Sequence, residues 1–417
     1  MTHPNNEVVI IGGGIAGLSC ARRLNFEGIA FTVLEASDRI GGRVKTDRHK
    51  GYLLDRGFQV LQTAYPEAKR VLDYPKLDLH MFAPGAVIRT SGRFSTVADP
   101  LRQPRFLFDT MKAPIGTFRD RLRLARLARH VSSADLEKLF QEPETTSMEF
   151  LRAEGFSETM IVRFFIPFFG GVCLDPALGA SSRVLQYVFR MFAKGDAALP
   201  ALGMEEIPRQ LAQDISADKI RTGVRVRKIS NDRIMLEDGT TLSPRAVVVA
   251  TEGPEADRLL GLPKSVESVS ETCFYFSADR ADRHSPFLVL NGEGVGPINN
   301  LSFPSRVSST YAPPGKSLIS VVVLGNPDEP GDRLLSRVKD QLDDWFGSEV
   351  AAWEHLATYP IVHALPGQSP PTADPFRPAF MARRGIFITG EQGSLPGIQW
   401  AMLSGRKTAE AVIDFLG

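Results

Sequence analysis

Cysteine is scarce: Cys20, Cys173 and Cys273 are the three in 417 residues, far apart, without a C-x-x-C pair and odd in number. A disulfide framework and a thiolate metal centre are therefore excluded, and a reducing, cytoplasmic compartment is expected. The seven histidines are scattered without ligand spacing and read as surface or core residues, so no metal is expected. Charge of one sign is missing as well. With 49 basic and 48 acidic residues the net charge is +1, which supplies no global field for nucleic acid, and no nucleic-acid partner is expected. No apolar run reaches the ~20 residues that cross a bilayer. The first run, Val8 to Ile11, follows Glu7 and meets glycine at once, so it is not read as a signal peptide. Repeats and low-complexity tracts are absent too. What remains is a composition of 43% apolar and 23% charged residues, that of a soluble globular chain long enough for two domains.

Glu7 to Ile11 reads as a strand, Leu18 to Phe26 as a helix and Phe31 to Leu34 as a second strand, which together make a βαβ unit. From Tyr52 to Ala198 the pattern predicts mostly helical stretches broken by prolines. Ile220 to Ala250 reads as a strand pair turning at Asp238-Gly239, followed by a buried strand at Ala246 to Ala250. Strands are expected again from Thr272 to Val323, a helix from Pro330 to Phe346, and a strand, glycine turn and amphipathic helix from Gly385 to Gly417.

Chemistry enters at the first turn. Gly12, Gly14 and Gly17 form G-x-G-x-x-G between strand and helix, with Ile15 and Ala16 at the helix start. Gly12 permits the tight turn, Gly14 lets backbone approach a pyrophosphate, and Gly17 allows close helix packing. The helix N-terminus favours the anion. Glu35, followed by Ala36, ends the second strand 23 residues after Gly12, where a carboxylate accepts from ribose hydroxyls and repels a 2′-phosphate. These residues fit NAD and FAD equally. Four further features favour FAD: Arg39 to Arg43, with Gly42 to pass a second phosphate and Arg43 to pair with it; Gly57-Phe58 after Asp55; Thr251 at the end of the buried strand; and Gly390-Glu391 ahead of Gly397-Ile398-Gln399, where a carboxylate and a helix N-terminus meet the ribityl chain and ring.

This set, with A-x-x-S-G-R at 401–406, resembles the flavin-containing amine oxidase superfamily, which includes monoamine oxidases, protoporphyrinogen oxidases and phytoene desaturases. The resemblance implies an α/β fold: a discontinuous Rossmann-like FAD-binding domain (1–60, 197–260 and 375–417) with an inserted α+β substrate domain (61–196 and 261–374). It implies that Gly12, Gly14, Gly17, Glu35, Arg43, Gly390 and Glu391 hold FAD, that Val224, in a Thr222-Gly223-Val224 strand, contacts adenine through its backbone, and that 200–204 leads back to the FAD domain. No cysteine follows Cys273, so FAD is expected to be bound noncovalently.

Two departures bear on the substrate. The aromatic wall that amine oxidases place before the last helix falls at Gly397, and Trp400 stands where the family has glycine. Lys316, the nearest candidate for the amine oxidases' flavin-facing lysine, reads as a solvated turn residue, so no catalytic residue is assigned. A desaturase-like or protoporphyrinogen-oxidase-like oxidation of a largely apolar small molecule is expected, with Phe164, Phe165, Phe168 and Phe169 lining a long cavity. The alternatives are a peroxide-forming amine oxidase and a redox-neutral flavin isomerase; the electron acceptor is open. Finally, residues 101–131 hold eight basic and two acidic residues. A helix after Thr117, with an apolar stripe of Leu122, Ala125 and Leu127 to Val131 beside Arg119, Arg123, Arg126 and Arg129, suits either a solvated basic face or peripheral membrane contact.

Overall fold

Short, almost wholly apolar runs need cover on both faces, the condition found inside a parallel sheet. In the computed structural model, which describes residues 8–230, 233–263, 267–281, 284–392 and 394–417, three such runs form its centre. Val8–Ile11 lies between Phe31–Leu34 and Ala246–Val249, parallel and in register, with Val8 opposite both Phe31 and Ala246. Ile220–Arg221 extends the sheet on one side and Ile386–Ile388 on the other, both parallel, and Phe380–Arg383 closes it as an antiparallel edge. This Rossmann-like sheet draws its strands from three separated stretches of chain. Glu7, expected to open the first strand, lies outside the described residues.

A second sheet of seven strands runs Glu354–Pro366, Ser268–Asp279, Lys316–Leu324, Ile298–Ser302, Leu288–Asn291, Gly85–Thr90 and Arg93–Ala98. It is antiparallel except where Leu288–Asn291 meets Gly85–Thr90. With the helices between 104 and 194 it makes the α+β part. The expectation of mostly helix between Tyr52 and Ala198 is corrected here. Residues 85–98 form a hairpin turning on Ser91 (φ 50°) and Gly92 (φ 71°), the pair of positive φ angles that a two-residue hairpin loop demands.

The first helix, Ile15–Phe26, crosses the last, Ile398–Leu416, at close range: a Cβ on Gly405 would lie 2.2 Å from the Ala16 carbonyl oxygen. That contact ties the chain's end to the turn after its first strand. Thr117 caps Phe118–Ser133 in a capping box with Asp120. The expected apolar stripe is narrower than read, since Leu127 and Val131 are buried but Leu122 is exposed. Among the described residues no helix is long and apolar enough to cross a membrane.

Candidate functional site

The loops that leave the carboxyl ends of the parallel strands converge, and their glycines divide into two kinds. Gly12 has φ 110° and a Cβ there would lie 2.6 Å from the Ala250 carbonyl oxygen; a Cβ on Gly17 would lie 2.0 Å from that of Gly12. The protein's own backbone thus demands both. Gly14 is different. Its φ is −78°, an ordinary value, and the nearest atom to a Cβ would be Gly42 Cα at 3.8 Å. Among the described residues nothing requires glycine at 14, which leaves an open strip before the helix N-terminus. As N-cap it has no side chain to take the first-turn N–H groups, so the strip is lined by donors and the positive end of the helix dipole. The second glycine loop borders it: Gly41 N–H donates to the Gly13 carbonyl at 2.8 Å, and Gly42, at φ 61°, approaches Gly14.

Two carboxylates flank the strip. Glu35 is buried; its Oε2 accepts from Gly13 N–H at 2.7 Å, and its Oε1 accepts from Ser37 N–H at 2.8 Å and Ser37 Oγ at 2.7 Å. One lone pair of Oε2 is left for a further donor. Glu391 accepts from Gly253 N–H at 2.8 Å and pairs with Arg43 at 2.5 Å, while Arg43 also donates to the Ala364 carbonyl at 2.8 Å. Arg43 therefore ties the loop after one parallel strand to the loop after another and to the long strand of the second sheet. Thr251, just after Ala246–Val249, has a buried hydroxyl with no hydrogen-bond partner among the described residues.

The remaining candidates are placed as follows. Ile15 and Ala16 are buried in the first helical turn, and Ala36 is exposed. Arg39 is committed to Asp47 at 2.6 Å and to Glu205 at 3.4 Å. Gly390 N–H donates to Ser404 Oγ at 3.0 Å. Gly397, at φ 109°, caps the last helix with open space around it, Ile398 is half-buried, and Gln399 Oε1 accepts from Glu67 N–H at 2.8 Å. Phe58 packs edge-on against Phe82. Gly57 has φ 93° and its open side faces Glu271 and Ile361 of the second sheet.

Three sequence readings are corrected. Val224 lies in a loop, its N–H donating to the Glu35 carbonyl at 2.9 Å, because the edge strand ends at Arg221 and the next begins at Val226. Phe165 and Phe169 are fully buried and pack into the core that also holds Trp400, so they line no cavity; Phe164 and Phe168 are half-buried and stacked 5.5 Å apart. Trp400 does not crowd the loop: it packs among Phe140, Tyr187 and Phe376. Lys316 opens a strand, half-exposed, and pairs with Asp279 at 2.8 Å.

Sequence reasoning missed the Arg43–Glu391–Gly253 link and two buried acids. Burial pushes the Asp55 carboxyl up to about 6 even though Thr46, Met204 N–H and Tyr311 all donate to it. Burial likewise pushes Glu271 up to about 7, opposed by the Phe58 N–H alone. The signal for Glu271 was present as an acid within the run Ser268 to Phe276.

A profile of flavin-containing amine oxidoreductases matches residues 15–413. The chain belongs to this family. That family is one of flavin-containing oxidoreductases. The chain is 29% identical over 255 residues to human lysine-specific histone demethylase 2, covering 59% of this chain and 30% of that protein. To Arabidopsis thaliana polyamine oxidase 2 it is 29% identical over 258 residues, covering 58% and 50%. The chain thus spans half or less of these relatives. In fold it is similar to an Exiguobacterium protein described as a protoporphyrinogen oxidase, with TM-score 0.73, 17% identity and 99% of both chains covered. Cyclohexylamine oxidase from Brevibacterium oxydans gives 0.69 and 17%, covering 99% of this chain and all of that one.

Proposed function

We propose that the chain is an FAD-dependent oxidoreductase that removes a hydride from a C–C or C–N bond of a largely apolar substrate, with FAD bound noncovalently. The observation that carries the cofactor reading is Gly14: a glycine the protein does not need, opening a donor-lined strip at a helix N-terminus. The pyrophosphate lies there, Glu35 takes a ribose hydroxyl with its remaining lone pair, and the loops at Arg43, Gly57-Phe58, Thr251, Gly390-Glu391 and 397–399 surround the rest. The buried Thr251 hydroxyl, without a partner among the described residues, suits such a ligand. The flavin ring, when bound, accepts the hydride. All three thiols are buried, which supports noncovalent binding. In this reading 1–60, 197–260 and 375–417 form the cofactor domain, and 61–196 with 261–374 the substrate domain.

For the substrate, the names of the relatives favour amines, whereas the residues favour an apolar molecule. A cationic amine is best recognised over ring faces, yet Gly397 is exposed with open space around it and Trp400 is turned into the core. Phe164, Phe168, Phe189 and Phe192 offer a half-buried aromatic face instead. Anaerobic mixing of the yellow protein with benzylamine, a polyamine and a conjugated apolar compound tests this. The third is expected to perturb the flavin spectrum and the first two to leave it unbleached. Rapid bleaching by an amine, with peroxide on readmitting air, would put amine oxidation first, and turnover without any acceptor would indicate a redox-neutral isomerase.

The basic segment supports peripheral contact with an anionic bilayer on the cytoplasmic side. Leu101, Phe108 and Phe118 are 92%, 76% and 61% exposed, beside Arg102, Lys112 and Arg119, the pairing of apolar anchors and cations that interfacial helices use. Co-sedimentation with anionic but not neutral vesicles, lost in Phe108→Asp, is expected; equal recovery without vesicles would refute it.

A further inference from the structure

The buried acids of this protein are well supplied with donors, with one exception. Glu35 has three donors, Asp55 three, Glu67 the Arg406 guanidinium, and Glu205 both Arg39 and Arg209. Glu271 has the Phe58 N–H and, among the described residues, no cation. Its strand neighbours in register are Leu324 and Ile361, both apolar. A carboxyl in such a place is costly to ionise and, for stability alone, poorly chosen.

Its position gives it a use. Glu271 Oε1 stands 2.3 Å from where a Cβ on Gly57 would be, with Ile361 Cδ1 at 2.7 Å, so the absence of a side chain at 57 is what admits the carboxyl. Two residues on, Gln59 Nε2 donates to the Arg43 carbonyl at 2.8 Å, and the Arg43 side chain meets Glu391 and the Ala364 carbonyl. Glu271 thus projects from the second sheet against the Gly57 loop, which Gln59 joins to Arg43 and so to the glycine loop beside the open strip. We propose that Glu271 is the proton acceptor of this site, a role that rests on the flavin-oxidoreductase reading above. When a substrate H–X–Y–H is oxidised, the Y–H electron pair leaves as hydride to the flavin and the X–H pair closes the X=Y bond. The remaining proton passes to the Glu271 carboxylate, and the neutral acid returns it to solvent.

Burial that holds the carboxyl near neutrality suits this exchange. Among the described residues, the other titratable or charged groups on its own strand and on the adjoining Ile361 and Gly57 segments include Cys273, Tyr359 and His363, and Asp55 and Arg56. Arg56 and Tyr359 are bound to Asp47, and burial holds the Cys273 thiol up at about 12.

The test is the absorption spectrum of the flavin-loaded protein, titrated from about pH 5.5 to about pH 9, for wild type, Glu271→Gln, Glu271→Asp and His363→Gln. One transition near neutrality is expected in the wild type and in His363→Gln, shifted in Glu271→Asp and absent in Glu271→Gln. Should Glu271→Gln fail to fold, the shift in Glu271→Asp decides. A wild-type spectrum without a transition, or one that survives Glu271→Gln or vanishes with His363→Gln, overturns the assignment while leaving the flavin reading intact. Protein that cannot be loaded with flavin overturns the function reading itself.

Discussion

Replacing Gly14 and Gly17 separately distinguishes a glycine kept for a ligand from one kept for the fold. In Gly17→Ala the new Cβ would lie 2.0 Å from the Gly12 carbonyl oxygen and 3.2 Å from Ala250 Cβ. Backbone must then move by more than an ångström, and overpacking of this kind costs roughly 1–3 kcal/mol or more, out of a total stability of about 5–15 kcal/mol. In Gly14→Ser the new Cβ enters free space, with its nearest contact at 3.8 Å and φ at −78°, and serine is among the best N-caps. The flavin-stripped protein should therefore unfold within about 0.5 kcal/mol of wild type. Its affinity for FAD should nevertheless fall, because the side chain occupies the strip that the pyrophosphate needs. Loss of one hydrogen bond to a charged group is worth roughly 1.5–3 kcal/mol, about tenfold to somewhat over a hundredfold in Kd. Thermal unfolding of the stripped protein and fluorescence titration with FAD read the two effects independently. Unchanged FAD affinity in Gly14→Ser would refute the reading of the open strip, and a large loss of stripped-protein stability would refute the reading of the space as empty.

Glu35→Ala should weaken FAD by roughly 1.5–3 kcal/mol and Glu35→Gln by less, since one acceptor remains; flavin retention after gel filtration checks this, and equal retention by all three proteins would remove Glu35 from the site. Lys316→Ala, which breaks only an exposed pair with Asp279, should leave flavin content and melting temperature unchanged, and a change in the reduction rate would restore this lysine as a candidate for the chemistry. Burial raises Glu271 from 4.5 to about 7 and Asp55 from 3.8 to about 6. Both acids hold their protons more tightly folded than unfolded, so stability is full below the unfolded carboxylate values and declines as pH rises through about 4 to about 7. At about 1.36 kcal/mol per unit, Glu271 alone accounts for something on the order of 3 kcal/mol of that decline. Denaturant unfolding of stripped wild type and Glu271→Gln across this range should show a shallower decline in the variant, and parallel curves would mean that Glu271 is not buried as described.

What could be read from the sequence followed from how locally each feature is determined. The βαβ start was legible because strand, glycine turn and helix are consecutive, and Gly17 answers to the Gly12 carbonyl five residues away, although Gly12 itself answers to Ala250 on a distant strand. The hairpin at 85–98 was hidden by the prolines around it. Its turn residues, Ser91 and Gly92, carry a weaker signal than Asn-Gly, and its pairing partner, Leu288–Asn291, lies some two hundred residues downstream. The phenylalanines at 164–169 illustrate a different limit. They occupy a helical stretch with an irregular, wider turn over Ile161–Phe165, so alternate rings face the core and the outside, and composition alone could not say which. Arg43, Gly253 and Glu391 meet because the parallel strands before them end at the same edge of one sheet, an adjacency that exists only once the strand order is known. Glu271 is the sharpest case. Its residue type clashes with its strand, and a clash of this kind marks a position where local preference yields to something the fold brings near, here the loop at Gly57. The acid was visible in the sequence, but its neighbour was not, and the neighbour is what turns an oddity of composition into a candidate for chemistry.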